Sequence, residues 1–334
     1  ELDTVVARGN AQHGVSVTIA GAADVSLVID DSKFAENGGM GASFAIGGAS
    51  LAVSVDETEA LRNEGGWGLR FDDDTGGAST YTLADTNVAQ NTKGGLIIDA
   101  SGAVGDASVS IKDSSFDGNA GNDGARIVGP NAFALDVSAD ESSFDGNVGN
   151  GLDARSPVAA STYTASLTKV RANANSAGFG VWLGASGTTG DASATLARVE
   201  AESNSQSGVR LAEAGAGNFA VTLTHVAASG NGNGDGTADN NVHISEAGDG
   251  NLNLSAADVT SNSSNGGSGT WVGEADAGTL AIDYAGKSES NDNTKYGLFA
   301  SEDGDGLSIT NYARLTADGN GDASLWMSTG TITN

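Results

Sequence analysis

One unit, Φ-x-Φ-x-D-S-x-F-x-x-N-x-x-x-G-Φ-x-Φ with Φ apolar, recurs along the whole chain. A chain built on such a beat buries its apolar positions by stacking each copy on the next. The repeat therefore constrains the fold before any local propensity does. Clear copies are VSIKDSSFDGNAGNDGARI at 109–127 and LDVSADESSFDGNVGNGLDA at 135–154, with looser ones at 25–44 and 81–98. A glycine opens the last strand at Gly14, Gly41, Gly68, Gly95, Gly124, Gly151, Gly180, Gly208, Gly269 and Gly297, and Asn241 and Ser324 hold that place in two degenerate copies. Eleven steps from Gly14 to Ser324 give a mean period of about 28 residues. Asn repeats four or five residues earlier, at Asn10, Asn37, Asn63, Asn91, Asn119, Asn147, Asn175, Asn204 and Asn293.

Two-residue alternation inside that period suits one β-coil per repeat, and the Ala, Leu, Glu and Lys runs of a helical repeat are missing. The expectation is an all-β fold, a right-handed parallel β-helix of about 12 coils forming one domain over 1–334. At the roughly 4.8 Å spacing of strands, its stack is on the order of 55 Å long. Expected inward columns include Leu69 and Phe71, Leu96 and Ile98, Val181 and Leu183, with a second column of Phe34, Val88, Phe116, Phe144 and Val170. Asn suits the corners, because it tolerates left-handed backbone and forms amide ladders when stacked on itself.

The length of 334 residues would ordinarily suggest two or three globular domains. Fifty glycines, two prolines and five per cent aromatics instead describe a turn-rich chain with a narrow core. Cysteine is absent, which excludes disulfides and thiolate metal sites. The net charge of −28 repels phosphate backbones and anionic lipid, so neither nucleic acid nor direct membrane insertion is expected. A secreted bacterial protein has such a composition, and an extracellular or cell-surface location is the expectation.

The pattern resembles the right-handed parallel β-helix superfamily of pectate lyases, polygalacturonases, alginate epimerases, phage tailspikes and autotransporter passengers. FAEN at 34–37 and FDGN at 116–119 and 144–147, each followed by glycine and an apolar residue, are also similar to polymorphic outer-membrane autotransporter repeats. Enzymes of the superfamily plug the core with an N-terminal helix, whereas this chain enters a repeat by about residue 5. The expectation is an uncapped segment of a longer solenoid, or a subunit that stacks end to end.

The resemblance makes the G-Φ-x-Φ strand the lining of a polysaccharide groove. Its outward positions are Ser16, Ser43, Arg70, Ile97, Arg126, Asp153, Trp182, Arg210, His243, Trp271, Phe299 and Trp326. Aromatic faces stack on sugar rings and Arg forks bind carboxylates, so Arg70, Arg126, Trp182, Arg210, His243, Trp271, Phe299 and Trp326 are the candidate carbohydrate-binding residues. The structural alternative is that an exposed sheet favours such cross-strand partners, with Arg126 and Asp153 as an inter-coil ion pair. No catalytic residue is assigned: the column holds one carboxylate, and the best local cluster is Arg210 with His243.

Loops after the groove strand are acidic, including Asp72 and Asp74, Glu246 with Asp249, Glu274 with Asp276, and Glu302 with Asp303. N-G-N-G-D-G at 231–236 and D-G-N-G-D at 318–322 resemble the opening of a calcium loop. Asp72, Asp74, Asn231, Asn233, Asp235, Asp318, Asn320 and Asp322 are therefore candidate Ca²⁺ ligands, against the reading that Asp-Gly turns are ordinary in solenoids. Two functions follow: a structural or adhesive surface rod, and a β-helix that binds or cleaves a cell-surface or extracellular glycan. An antifreeze rod is a distant third, because no flat Thr-x-Thr array recurs coil after coil.

Overall fold

A computed structural model describes residues 1–157, 160–233, 239–303, 306–328 and 331–333. It is an all-β parallel solenoid. Thirteen strands, from Leu2–Asp3 to Thr331–Thr333, form a first sheet, and twelve, from Val15–Ile19 to Ala323–Met327, form a groove sheet. Twelve groove strands make eleven steps, the number given by the glycine beat. The third face is narrow. Four short strands from Val6–Arg8 to Asn87–Ala89 pair there, and single bridges carry the pairing on from Asn87 to Glu289.

Alternation within each strand sends every second side chain inward, and stacking turns those positions into columns. One hydrophobic cluster runs from Leu27 to Ile309. Phe44 stacks on Phe71 with centroids 5.2 Å apart, and Phe116 on Phe144 at 5.3 Å. The expected inward residues Leu69, Phe71, Leu96, Ile98, Val181 and Leu183 are all buried, as are Phe34, Val88 and Val170 in the corner column.

The asparagines form a buried amide ladder. Asn119 Nδ2 donates to Asn147 Oδ1 at 3.0 Å, and the Asn119 backbone N–H reaches the same oxygen at 2.9 Å. The Asn119 amide also donates to the Val88 carbonyl one coil back, at 3.2 Å. Rungs of this kind link Asn10, Asn37, Asn63 and Asn91 below it and Asn175, Asn204 and Asn231 above, and the Asn147 backbone N–H makes the step to Asn175. The left-handed residue at this corner is the one before each rung, such as Glu36 at φ 55° or Gln90 at φ 59°. The asparagines are therefore present for their amides and not for their backbone tolerance, which corrects part of the sequence-based reasoning. A second corner is closed by hydroxyls: Ser114 Oγ donates to the Lys112 carbonyl at 2.7 Å and accepts the Thr86 N–H at 3.1 Å.

The glycine beat and the asparagine beat are two halves of one feature. A Cβ on Gly124 would lie 2.6 Å from Asn147 Nδ2 and 2.7 Å from the Gly151 carbonyl of the next coil. No real Cβ tolerates such contacts, so each glycine makes room for the following coil's rung.

The two exceptions obey the same rule. Ser264 occupies the rung position of its coil, and the residue on the glycine beat below it is Asn241. Asn241 sends its own side chain into the vacated slot. It accepts from Asn231 Nδ2 at 3.0 Å and donates to Asn293 Oδ1 at 3.1 Å, so the ladder continues to Asn320. Ser324 lies on the last groove strand, where no further described coil contributes a rung.

Asn241→Gly should therefore cost on the order of 1–3 kcal/mol, by taking from the buried Asn231 N–H and Nδ2 groups the oxygen that they share. Ser264→Asn alone should also destabilise, by forcing two amides into one slot. The double variant should return close to wild type when the three are compared by chemical denaturation, and additive losses would contradict the shared slot.

Candidate functional site

All twelve outward positions of the groove column lie in register, from Ser16 opposite Ser43 to Phe299 opposite Trp326. From His243 onward their rings are engaged with one another. His243 and Trp271 have ring centroids 4.4 Å apart, Trp271 and Phe299 stack at 5.8 Å with planes 9° apart, and Phe299 and Trp326 stack at 4.1 Å with planes 3° apart. A Cβ on Gly273 would come within 2.3 Å of the Trp271 ring, so that glycine lets the indole lie against the strand.

The middle of the column is cationic. The Arg155 guanidinium lies 3.6 Å from the Trp182 ring centroid, and Arg210 lies 5.1 Å from it and 5.3 Å from Phe179. Asp153 is buried and takes a bidentate fork from Arg155 at 2.5 and 2.6 Å. The ion pair of Asp153 is therefore with Arg155 on its own strand, and not with Arg126 on the coil below. Arg70 pairs with Asp72 at 2.8 Å on its own strand as well. The Nε atoms of Arg126 and Arg210 are buried without a hydrogen-bond partner.

Arg210 and His243 do come together, on adjacent strands. Burial, and secondarily the Arg210 charge, push the His243 imidazole down to about 3. Burial followed by the Arg155 charge lowers Arg210. A neutral, weakly basic imidazole beside a guanidinium is poorly suited to abstract a proton at neutral pH.

The candidate calcium ligands divide into three groups. Asn231 and Asn320 are rungs of the buried ladder, with their amides bonded between coils. Asp74, Asn233, Asp318 and Asp322 are exposed, and Asp72 is committed to Arg70. Asp235 lies outside the described residues. Among the described residues, no three Asp, Glu or His side chains converge on a point that could hold a metal ion.

Glu246, Glu274 and Glu302, expected in acidic loops after the groove strand, lie on the strands themselves. Glu213, Glu246 and Glu274 occupy the fifth position of their strands and Glu302 the seventh of its own, all with the parity of the core residues, and they point inward. They stand opposite one another on four successive coils and are between 1% and 5% exposed. The Thr188 hydroxyl and its N–H donate to Glu213. Both carboxyl oxygens of Glu246 and of Glu274 lack any partner of that kind. Neighbouring carboxyls can bond to each other only by sharing protons. Burial, then the adjoining Glu274 and Glu213, push Glu246 up to about 9. Burial and Glu302, with a contribution from Asp276, push Glu274 up to about 7. Strand alternation was the signal available in the sequence for this inward stack.

In comparisons with family models and with curated proteins, the chain matches none.

A carboxyl whose folded pKa is raised binds more protons in the folded state, so its contribution is present at low pH and lost as pH rises through the folded value. Unfolding midpoints should accordingly fall as pH rises from about 6, where surface carboxylates have already titrated, through about 9. Glu246→Gln should flatten that profile in calorimetry. A wild-type profile flat over this window would contradict a protonated stack.

Proposed function

We propose that the chain is an extracellular structural or adhesive rod of the autotransporter-passenger kind. The observation that carries this reading is the continuity of the amide ladder, which crosses the Ser264 coil by borrowing Asn241. Buried polar groups that fix register cost desolvation, and a ladder kept intact through an irregular coil favours a molecule whose task is to hold its length. The aromatic column supports the same reading, because stacked rings cover the faces that a sugar would need.

The second reading is a polysaccharide-binding β-helix. It is favoured by Arg126 and Arg210, on either side of Trp182 in the column and without an ion pair among the described residues, whose guanidinium groups are of the kind that bind the carboxylates of a uronan.

One set of experiments separates the two. Incubated with pectate and alginate, with or without Ca²⁺, the rod should leave the polymers intact and unretained, and external protease should cleave it on intact source cells. Uronan cleavage, uronan retention lost on Arg210→Met, or protection inside the cell would overturn the rod reading. Trp271→Ala should cost about 1–3 kcal/mol through two lost ring contacts. An unchanged unfolding midpoint would show that the stack contributes nothing to the rod.

A further inference from the structure

The first sheet carries a surface that the rod reading does not use. Each of its strands presents two outward side chains around a central buried one, such as Thr80 and Thr82 around Tyr81, or Ser108 and Ser110 around Val109. These pairs stand in register on eleven strands, from Val25–Asp30 to Leu307–Thr310. Of the 22 outward positions, 15 are Ser or Thr. Only Asp136 and Asp283 are charged, on a chain whose net charge is −28. The sequence repeat hid this array, because Ser and Thr interchange and no strict Thr-x-Thr pattern results.

The hydroxyls are free. Among the described residues, Ser138 donates to the Val109 carbonyl at 3.5 Å and Thr310 to Asp283 at 3.0 Å, and the other hydroxyls of the array make no hydrogen bond within the protein. Sheet geometry sets them about 4.8 Å apart along the rod and roughly 6.7 Å apart across each strand. Their carriers are held by the ladder-bonded coils, and β-branched threonines are stiff at χ1. The result is a preorganised, two-dimensional, uncharged lattice of donors and acceptors.

The same chemistry narrows the partner. A sugar chain needs an aromatic platform, and none stands among these positions. A protein interface needs apolar or aromatic anchors, and Val28 is the largest apolar side chain in the two columns. Anionic polymers and lipids need cations, which the columns lack. A surface of water molecules ordered in a crystal is neutral, periodic and composed of donors and acceptors alone. We propose that the first sheet is a binding face for crystalline water, making the rod an ice-binding one.

The full chain should be enriched in ice grown slowly on a cold finger and should show thermal hysteresis. Thr82→Lys combined with Ser138→Lys and Thr195→Lys should be excluded from ice as a non-binding protein is. A control with Thr18→Lys, Ala45→Lys and Ser245→Lys, outward on the groove sheet, should remain enriched, with circular dichroism confirming that both variants fold. Exclusion of the wild-type chain from ice would overturn the proposal however the variants behave, as would equal enrichment of the first-sheet variant. Retention on microcrystalline cellulose or chitin without enrichment in ice would also overturn it, by assigning the face to a neutral glycan. None of these outcomes depends on whether the rod is a surface stalk.

Discussion

The hydrogen bond from one coil's asparagine amide to the next coil's asparagine carbonyl is the interaction on which the rest of this structure depends. It is buried, it has no water to replace it, and it closes only when consecutive coils are in register. The glycine facing it cannot carry a Cβ, so the two residue types are tied to one another across coils and not within a coil. Given that registration, the apolar columns, the aromatic groove column and the carboxyl stack line up without further instruction.

Much of the fold was legible for this reason. The glycine and asparagine beats are each readable along the chain, and their common period gives the coil count. What was not legible is the relation between coils. Asn241 looked like a degenerate glycine, and only its place opposite Ser264 shows that it supplies the missing rung. Likewise the left-handed residue was attributed to the asparagine, one position too late. Such errors arise because the sequence is linear while the constraint acts about 28 residues away.

The groove column was located correctly, and its contacts were not. Arg155 lies outside the column in sequence terms, yet it takes Asp153, expected to pair with Arg126, and covers Trp182, expected to face a sugar. Three of the four stacked glutamates, Glu246, Glu274 and Glu302, were expected in acidic loops, and Glu213 was not singled out. Strand alternation assigns them to the interior, where burial raises the pKa of Glu213, Glu246 and Glu274. The chain thus separates its chemistry by face: exposed acids at corners and loops, cations and rings in the groove, shared protons inside, and neutral hydroxyls on the first sheet.

The central claim, that a continuous buried amide ladder organises the stack, is tested most directly by hydrogen exchange at asparagine side chains. Followed by nuclear magnetic resonance, the Nδ2 protons of interior rungs such as Asn91, Asn119 and Asn204 should exchange as slowly as the backbone amides of the groove sheet. Those of exposed Asn131 and Asn265 should exchange rapidly. Rapid exchange at the interior rungs, with the sheet amides still protected, would show that the coils stack without the ladder and would contradict the account.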